Sequence, residues 1–96
     1  MYAVVRDYSV SRATGLFALL EERKDEIESI MSGVTGFVAY TLIRTDDGGV
    51  TVTVCQDKTG TDESVKKARD WIQANALHLR TRPPVVMEGS VVLKLG

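Results

Sequence analysis

Three side chains that could take part in chemistry share one face of a predicted helix in the last third of the chain. Trp71, Asn75 and His78 are spaced by four and three residues, which places them along one helical face. An indole can stack on a flat ring, while an amide and an imidazole can hydrogen-bond a polar oxygen. We therefore expect these three as candidate catalytic residues, with Tyr40 and Arg23 as candidate substrate-binding residues.

Each candidate also has a purely structural interpretation. Trp71 could be a large core residue, and Asn75 could hydrogen-bond nearby backbone. His78 lies near the predicted end of its helix, where an imidazolium is stabilised by the helix dipole. Arg23 could lay its aliphatic stem along the apolar helix face and keep its charged head in water. The sequence leaves these alternatives open.

Several kinds of chemistry lack their usual motifs. The chain contains no Cys-x-x-Cys, no His-Glu-x-x-His and no Gly-x-Ser-x-Gly. With one His and one Cys, a zinc site would need an unusual ligand set. We therefore expect no metal and no cofactor. Cys55 falls within a predicted strand and is expected to be a small buried residue.

Length and composition predict one compact domain over residues 1–96. The hydrophobic fraction is 44% and the net charge is −1, which gives no basic surface for nucleic acid or an anionic membrane. No apolar run approaches the roughly 20 residues of a membrane span. One Cys cannot form an internal disulfide, which is typical of a reducing compartment. We expect a cytoplasmic protein that binds neither nucleic acid nor membrane.

The order of the predicted elements is strand, helix, strand, strand, helix, strand. The runs 36–44 and 50–57 are rich in β-formers, and an Asp-Gly turn between them predicts a hairpin. Apolar residues at steps of three and four predict helices over 12–31 and 62–80. A first strand begins near Tyr2, and the last is expected over 85–95. Ser32-Gly33 is expected to end the first helix in a left-handed conformation, and Thr61 to cap the second.

This order predicts an α+β fold, in which a four-stranded antiparallel sheet carries both helices on one face. Neither side of the predicted strands is polar, and one alternation groups Phe37 with Ala39, Thr41 and Ile43. Two helices can cover only one face of the sheet, so a patch of Val, Tyr and Thr would remain in water. We therefore expect a homodimer that forms through the open sheet face.

The same order is found in RNA-recognition domains, which stack bases on aromatic residues of the third strand. Here the third strand reads Val-Thr-Val-Thr-Val-Cys over 50–55 and contains no aromatic residue. RNA binding is therefore not expected.

Four segments carry a resemblance to a known family: Thr35 to Tyr40, the Asp-Asp-Gly-Gly turn, the strand Val50 to Val54 and the helix around Ala68-Arg69-Asp70-Trp71-Ile72. They resemble the dimeric α/β-barrel superfamily, in particular small proteins similar to antibiotic biosynthesis monooxygenases. The resemblance implies a ferredoxin-like subunit that pairs through its sheet, with a cavity between sheet and helices. In active members this cavity oxidises polycyclic aromatics without metal or flavin, or holds and degrades haem.

The haem-degrading branch implies an Asn in the first strand together with a Trp and a His in the second helix region. This chain offers Trp71 and His78, but Arg6-Asp7 stands where the Asn is expected. We therefore expect a cofactor-independent monooxygenase-like enzyme acting on a small aromatic. The alternative is a non-catalytic dimer that binds a small ligand or a partner, and haem binding ranks third.

Overall fold

The computed structural model describes residues 1–96 and contains one four-stranded antiparallel sheet with three α-helices on one face. In chain order the elements are β1 (Tyr2–Asp7), α1 (Thr14–Glu22), α2 (Lys24–Ser32), β2 (Phe37–Thr45), β3 (Gly48–Cys55), α3 (Lys58–Asn75), a 3₁₀ turn (Leu77–Leu79) and β4 (Val85–Ser90). The strands lie in the order β2-β3-β1-β4. This is the ferredoxin-like arrangement, which confirms the predicted fold. None of the helices has the length and apolar character needed to cross a bilayer.

The predicted hairpin joins β2 to β3 through a two-residue turn. Thr45 pairs with Gly48, so only Asp46 and Asp47 lie outside the ladder. Gly48 has a φ of +141°, a conformation that favours glycine. A side chain here would also approach backbone of the loop after β1, since an ideal Cβ would lie 3.0 Å from the Ala13 nitrogen.

The first helical region is two helices instead of the single helix expected over 12–31. Arg23 interrupts it with φ −104° and ψ 25°, although its N–H still donates to Leu19. Asp25 and Glu26 then occupy the first turn of α2, where acidic residues favour a new helix start. Gly33 is right-handed with φ −85°, so the expected left-handed stop is wrong. The positive φ lies three residues later, at Gly36.

The second helical region begins and ends earlier than expected. α3 starts at Lys58, and Asp57 caps it by accepting a 3.0 Å hydrogen bond from the Thr59 N–H; the cap is therefore not Thr61. The helix ends at Asn75, and His78 falls in the following 3₁₀ turn. The last strand ends at Ser90 and not near residue 95. Ser90 pairs with Tyr2, the first residue of β1, so little backbone remains beyond it for pairing.

The distribution of polar and apolar residues between the two faces of the sheet differs from the expected one. The face under the helices carries three rows, Leu42–Thr51–Arg6–Val86, Tyr40–Thr53–Val4–Glu88 and Phe37–Cys55–Tyr2–Ser90. The opposite face, here called the open face, carries Thr41–Val52–Val5–Met87, Ile43–Val50–Asp7–Val85 and Ala39–Val54–Ala3–Gly89. The expected open patch of Val, Tyr and Thr is therefore mainly Val, Ala, Ile and Met. The threonines of β3 and the tyrosines lie under the helices.

One register shift changes the expected grouping of β2. An irregularity between Phe37 and Ala39 places Phe37 opposite Cys55, on the helix-covered face. The expectation that Phe37 shares a face with Ala39 is therefore wrong, because an extra residue in a strand reverses the alternation beyond it.

The helices bury the predicted apolar stripes against the sheet. The buried residues of the first helical region and its flanks are Ala13, Leu16, Phe17, Leu20, Ile27, Met31 and Val34. In α3, Ala68 and Trp71 are buried, and Ala76 follows the helix. Cys55 is also fully buried, as expected, and burial raises the pKa of its thiol.

Gly60 provides a test of how closely α3 approaches the loop before β2. An ideal Cβ at Gly60 would lie 2.2 Å from the Thr35 carbonyl oxygen and 2.7 Å from the Cys55 Cβ. We expect Gly60→Ala to lower the free energy of unfolding by about 1–3 kcal/mol, because overpacking outweighs the helix propensity of alanine. Urea denaturation measures the change.

The matched control is Gly15→Ala in α1. Its added Cβ would lie 3.6 Å from a Leu79 methyl group, which is an ordinary contact. This variant should be as stable as the wild type or more stable. Equal stability of the two variants would show that Gly60 is not required at the contact.

Candidate functional site

Trp71 is held by two polar partners, Glu26 on α2 and Arg23 immediately before α2. Its indole Nε1 donates a 2.8 Å hydrogen bond to Glu26, and the guanidinium of Arg23 lies 5.5 Å above its ring. Arg23 also pairs with Glu26, with 2.6 Å between Nη2 and Oε2. The indole and then the guanidinium lower the pKa of Glu26. The stabilisation from this carboxylate is therefore present above the usual Glu range and is lost as the pH falls below it.

Asn75 completes this group, which we call the Trp71 cluster: Arg23, Glu26, Trp71 and Asn75. The Asn75 amide nitrogen donates to the Trp71 carbonyl oxygen at 3.0 Å, and its oxygen accepts from Arg23 at 3.4 Å. Asn75 is thus engaged with its own helix and with Arg23. The structure therefore brings together three of the predicted site residues, on the outer side of the indole.

His78 is separate from this cluster. Its side chain is exposed on the 3₁₀ turn and lines neither of the two hollows described below. The helix face that the sequence predicted does not continue to His78, because α3 ends at Asn75.

An inner cavity lies between the sheet and the helices, beneath Trp71. It encloses about 20 Å³, which is room for one water molecule and not for an aromatic ring. The predicted residue Tyr40 lines it together with Trp71. The remaining lining residues are Arg6, Tyr8, Leu20, Ile27, Ile30, Met31, Thr51, Ala68 and Ile72.

Arg6 gives this cavity an uncompensated positive charge. The residue is only 3% exposed, and its Nη1 donates a 3.3 Å hydrogen bond to the Tyr8 hydroxyl. No carboxylate forms an ion pair with it. Its Nε has no partner, and neither do the hydroxyls of Thr51 and Thr53. Burial of a charge without a partner is costly. The surroundings of Arg6 are therefore suited to a negatively charged group or a strong hydrogen-bond acceptor.

Tyr40 is a hydrogen-bond donor to the same cavity. Burial raises the pKa of its hydroxyl, and the nearby charge of Arg6 opposes this effect. The phenol therefore stays protonated at neutral pH, and its O–H can donate to an oxygen held beside Arg6.

A larger cleft lies beside this cavity and shares three lining residues with it. It measures about 500 Å³, within the usual range of small-molecule sites, and lies between α3, β4 and the segment that precedes β4. Arg6, Tyr8 and Ile72 line both hollows. The remaining lining residues are Val65, Arg69, Gln73, Ala76, Leu77, Arg80, Thr81, Arg82, Pro83, Pro84 and Val86. The cleft therefore contains four arginines and no acidic side chain.

Sequence reasoning missed Arg6, Thr51 and Glu26. A signal for Arg6 was available, because it stands two residues from Val4 and two from Tyr8 and so shares their side of the strand. The alternation of Val and Thr in β3 predicts the opposite orientation for Thr51, since Val is normally the inward residue and Thr the outward one.

The residues present favour neither a metal nor haem. No group of three or more His, Cys, Asp and Glu side chains is arranged to hold a metal ion. The only imidazole, that of His78, lies outside both the cavity and the cleft. A haem iron would therefore have no histidine ligand here.

Comparison with known proteins identifies the fold. No protein-family model and no curated protein matches the chain. Solved structures do match, among them a protein of unknown function from Nitrosomonas europaea, with a TM-score of 0.68 and 18% identity over 99% of this chain and 91% of that one. A haem-degrading protein from Mycobacterium tuberculosis has a TM-score of 0.57 and 22% identity over 100% of both chains. SnoaB, a cofactor-independent oxygenase from Streptomyces nogalater, has a TM-score of 0.55 and 18% identity over 98% and 93%.

The chain shares the ferredoxin-like fold of these solved structures. The structural matches extend over nearly the whole chain, and the strand order agrees with the ferredoxin-like subunit. The resemblance seen in the sequence is thus confirmed at the level of the fold. At these identities the likeness concerns architecture, and the chemistry has to be argued from the residues of this chain.

Trp71 provides a test of the cluster on the outer side of the cavity. It is 7% exposed, so Trp71→Ala should lower the free energy of unfolding by about 3–5 kcal/mol. Trp71→Phe keeps an aromatic ring and loses the indole N–H, and should cost only about 1 kcal/mol. Urea denaturation measures both changes.

A second measurement separates packing from hydrogen bonding. In Trp71→Phe, NMR titration should show the pKa of Glu26 moving up toward its ordinary range. The hydrogen bond from the indole, which is the main cause of the lowered pKa, is absent in this variant. A loss below about 1 kcal/mol in Trp71→Ala would contradict the burial of the indole.

Proposed function

We propose that this protein is a cofactor-independent oxygenase that acts on a small phenolic aromatic. The substrate lies in the cleft, with its oxygen directed at Arg6. The observation that carries this proposal is the buried Arg6 guanidinium, which has no carboxylate partner and lines both cavity and cleft. The fold shared with SnoaB, a cofactor-independent oxygenase, supports the same reaction class.

The guanidinium would activate the substrate by stabilising its anion. A positive charge close to a phenol favours the phenolate, and a phenolate is a much better electron donor than the phenol. Arg6 cannot act as a base, because its guanidinium stays protonated. The cavity and the cleft contain no His, Asp or Glu, so the proton leaves to water. Tyr40 donates a second hydrogen bond to the oxyanion.

The substrate itself supplies the electrons. The bound phenolate transfers one electron to O₂, and the resulting radical and superoxide combine to form a C–OO bond at a ring carbon. The proton on that carbon passes to the outer peroxide oxygen as the O–O bond breaks, which leaves a second carbonyl and releases hydroxide. The hydroxide takes up the proton that the phenol lost on ionisation and becomes water. A phenol and O₂ are thus converted to a quinone and water.

The predicted site residues have unequal parts in this proposal. Trp71 and Tyr40 form the inner wall, and Arg23 and Asn75 hold the indole from outside. His78 has no part, since its exposed side chain lines neither hollow. Haem is disfavoured for the same reason, although the fold is shared with a haem-degrading protein.

A non-catalytic ligand-binding protein is the second candidate. It is favoured by the small size of the inner cavity and by the lack of a side-chain base. The two candidates differ in oxygen uptake: an enzyme consumes O₂ when it is mixed with a bound phenol, whereas a binding protein does not.

We also propose that two copies pair through the open face. That face is formed by rows of Val, Ala, Ile and Met, and exposed members include Ile43, Val85 and Met87. Three helices already cover the other face, so only another molecule can remove these side chains from water. A two-fold contact of identical sheets satisfies this requirement with one chain type.

Arg6→Met tests the role of the guanidinium. Bound 2-naphthol should ionise about 1–3 pH units below the free compound in the wild type, because a close positive charge lowers a phenol pKa by this amount. The absorbance of the naphtholate measures the effect. In Arg6→Met the pKa of bound 2-naphthol should no longer be lowered.

Stability provides the companion readout for this variant. Arg6→Met should be at least as stable as the wild type, because it removes an unpaired buried charge and keeps an aliphatic chain. A depressed naphthol pKa that persists in a folded Arg6→Met protein would contradict the proposal.

The dimer is tested by light scattering. At micromolar concentration the mass should be about twice the 10.5 kDa of the chain. Val52→Glu, in the central row of the open face, should give a monomer, because a carboxylate would be buried there without a partner. Val10→Glu is the control, since Val10 is 69% exposed and lies outside the sheet. A wild-type mass of one chain would exclude the dimer.

A further inference from the structure

The charges around the cleft are segregated. Arg69, Arg80 and Arg82 are exposed around it, while Arg6 is buried at its inner end. The protein has 13 acidic residues, yet none of them lines the cleft. None of the three exposed arginines forms an ion pair. A chain with a net charge of −1 thus presents a local positive field at the entrance of its largest hollow.

The backbone holds two of these arginines in place. Arg80 has φ 51° and ψ 40°, a left-handed conformation that is uncommon for residues other than glycine. Its N–H donates to Leu77, which fixes the turn. Arg82 follows two residues later, and Pro83-Pro84 restrict the chain beyond it. Both arginines therefore border the cleft on a constrained segment.

We propose that the substrate carries a carboxylate in addition to its phenolic oxygen, and that Arg69, Arg80 and Arg82 bind this carboxylate. The inference rests on the proposed function and specifies its substrate class as an aromatic hydroxy acid. Apolar side chains, including Ile72, Ala76 and Val86, lie in the same cleft and can contact the ring. The two oxygen groups of the substrate then occupy opposite ends, one at Arg6 and one at the exposed arginines.

A carboxylate fits this rim better than a phosphate. Phosphate sites commonly use backbone N–H groups at a helix N-terminus or in a glycine-rich loop. This cleft contains no glycine, and it borders the C-terminal end of α3, so neither kind of phosphate site is present. Arginine side chains can instead hold a planar carboxylate through two parallel hydrogen bonds.

Calorimetry with two matched ligands tests the inference. 6-Hydroxy-2-naphthoate and 2-naphthol share a ring system and a phenolic oxygen, and they differ in the carboxylate. The wild type should bind the acid at least about tenfold more tightly than 2-naphthol. That preference should weaken as salt rises, because the arginines are exposed. Excess inorganic phosphate should compete only weakly with the acid.

The variant Arg80→Gln/Arg82→Gln should lose most of the preference for the acid and should bind 2-naphthol as the wild type does. Arg44→Gln is the control, because Arg44 is exposed, pairs with Glu21 and lies on β2, away from the cleft. It should leave both affinities unchanged. Circular dichroism establishes that both variants are folded.

Three results would overturn the inference. Equal affinity for the two ligands in the wild type would exclude a carboxylate site, and so would a preference that survives the double substitution. Strong competition by phosphate would identify a phosphate site instead. In these cases Arg6-dependent binding of 2-naphthol would still support the proposed function. Failure of both ligands to bind would overturn both proposals.

Discussion

The candidate site depends on one buried charge, the guanidinium of Arg6 in β1. Side chains alternate along a strand, so an inward Arg6 also sets Val4 inward and Val5 outward. Through the ladder it aligns with Thr51, so that the Thr side of β3 lies under the helices and the Val side faces outward. The same register makes the face under the helices polar and the open face apolar, since a shift of one residue would exchange the two sets of side chains.

This inversion is unfavourable for a single copy of the chain without a ligand. Unpartnered hydroxyls and a lone guanidinium reduce stability, and so do exposed valines. A ligand anion would compensate the interior, and a second copy would compensate the exterior. Positions at which a sequence departs from the usual burial pattern are often functional, and here the departure lies at the junction of the cavity and the cleft.

The Trp71 cluster has a different role from that of Arg6. The indole closes the cavity from the helix side, and Glu26 and Arg23 fix its outer edge. The indole N–H is therefore directed away from the cavity, and Trp71 gives the cavity an apolar wall. The large cleft lies on the other side of Ile72, which explains how a nearly filled core can coexist with a site of useful size.

The sequence by itself determined the order of elements, the β2–β3 hairpin and the apolar helix stripes, because these depend on local periodicity and turn chemistry. It also identified Trp71, Tyr40, Arg23 and Asn75 as residues of interest. Only the tertiary structure decided which side of the sheet the helices cover, where the long helix breaks at Arg23, and that His78 stands apart. Each of these depends on contacts between segments distant in sequence, and strand register in particular is fixed by the partner strands, which no local pattern contains.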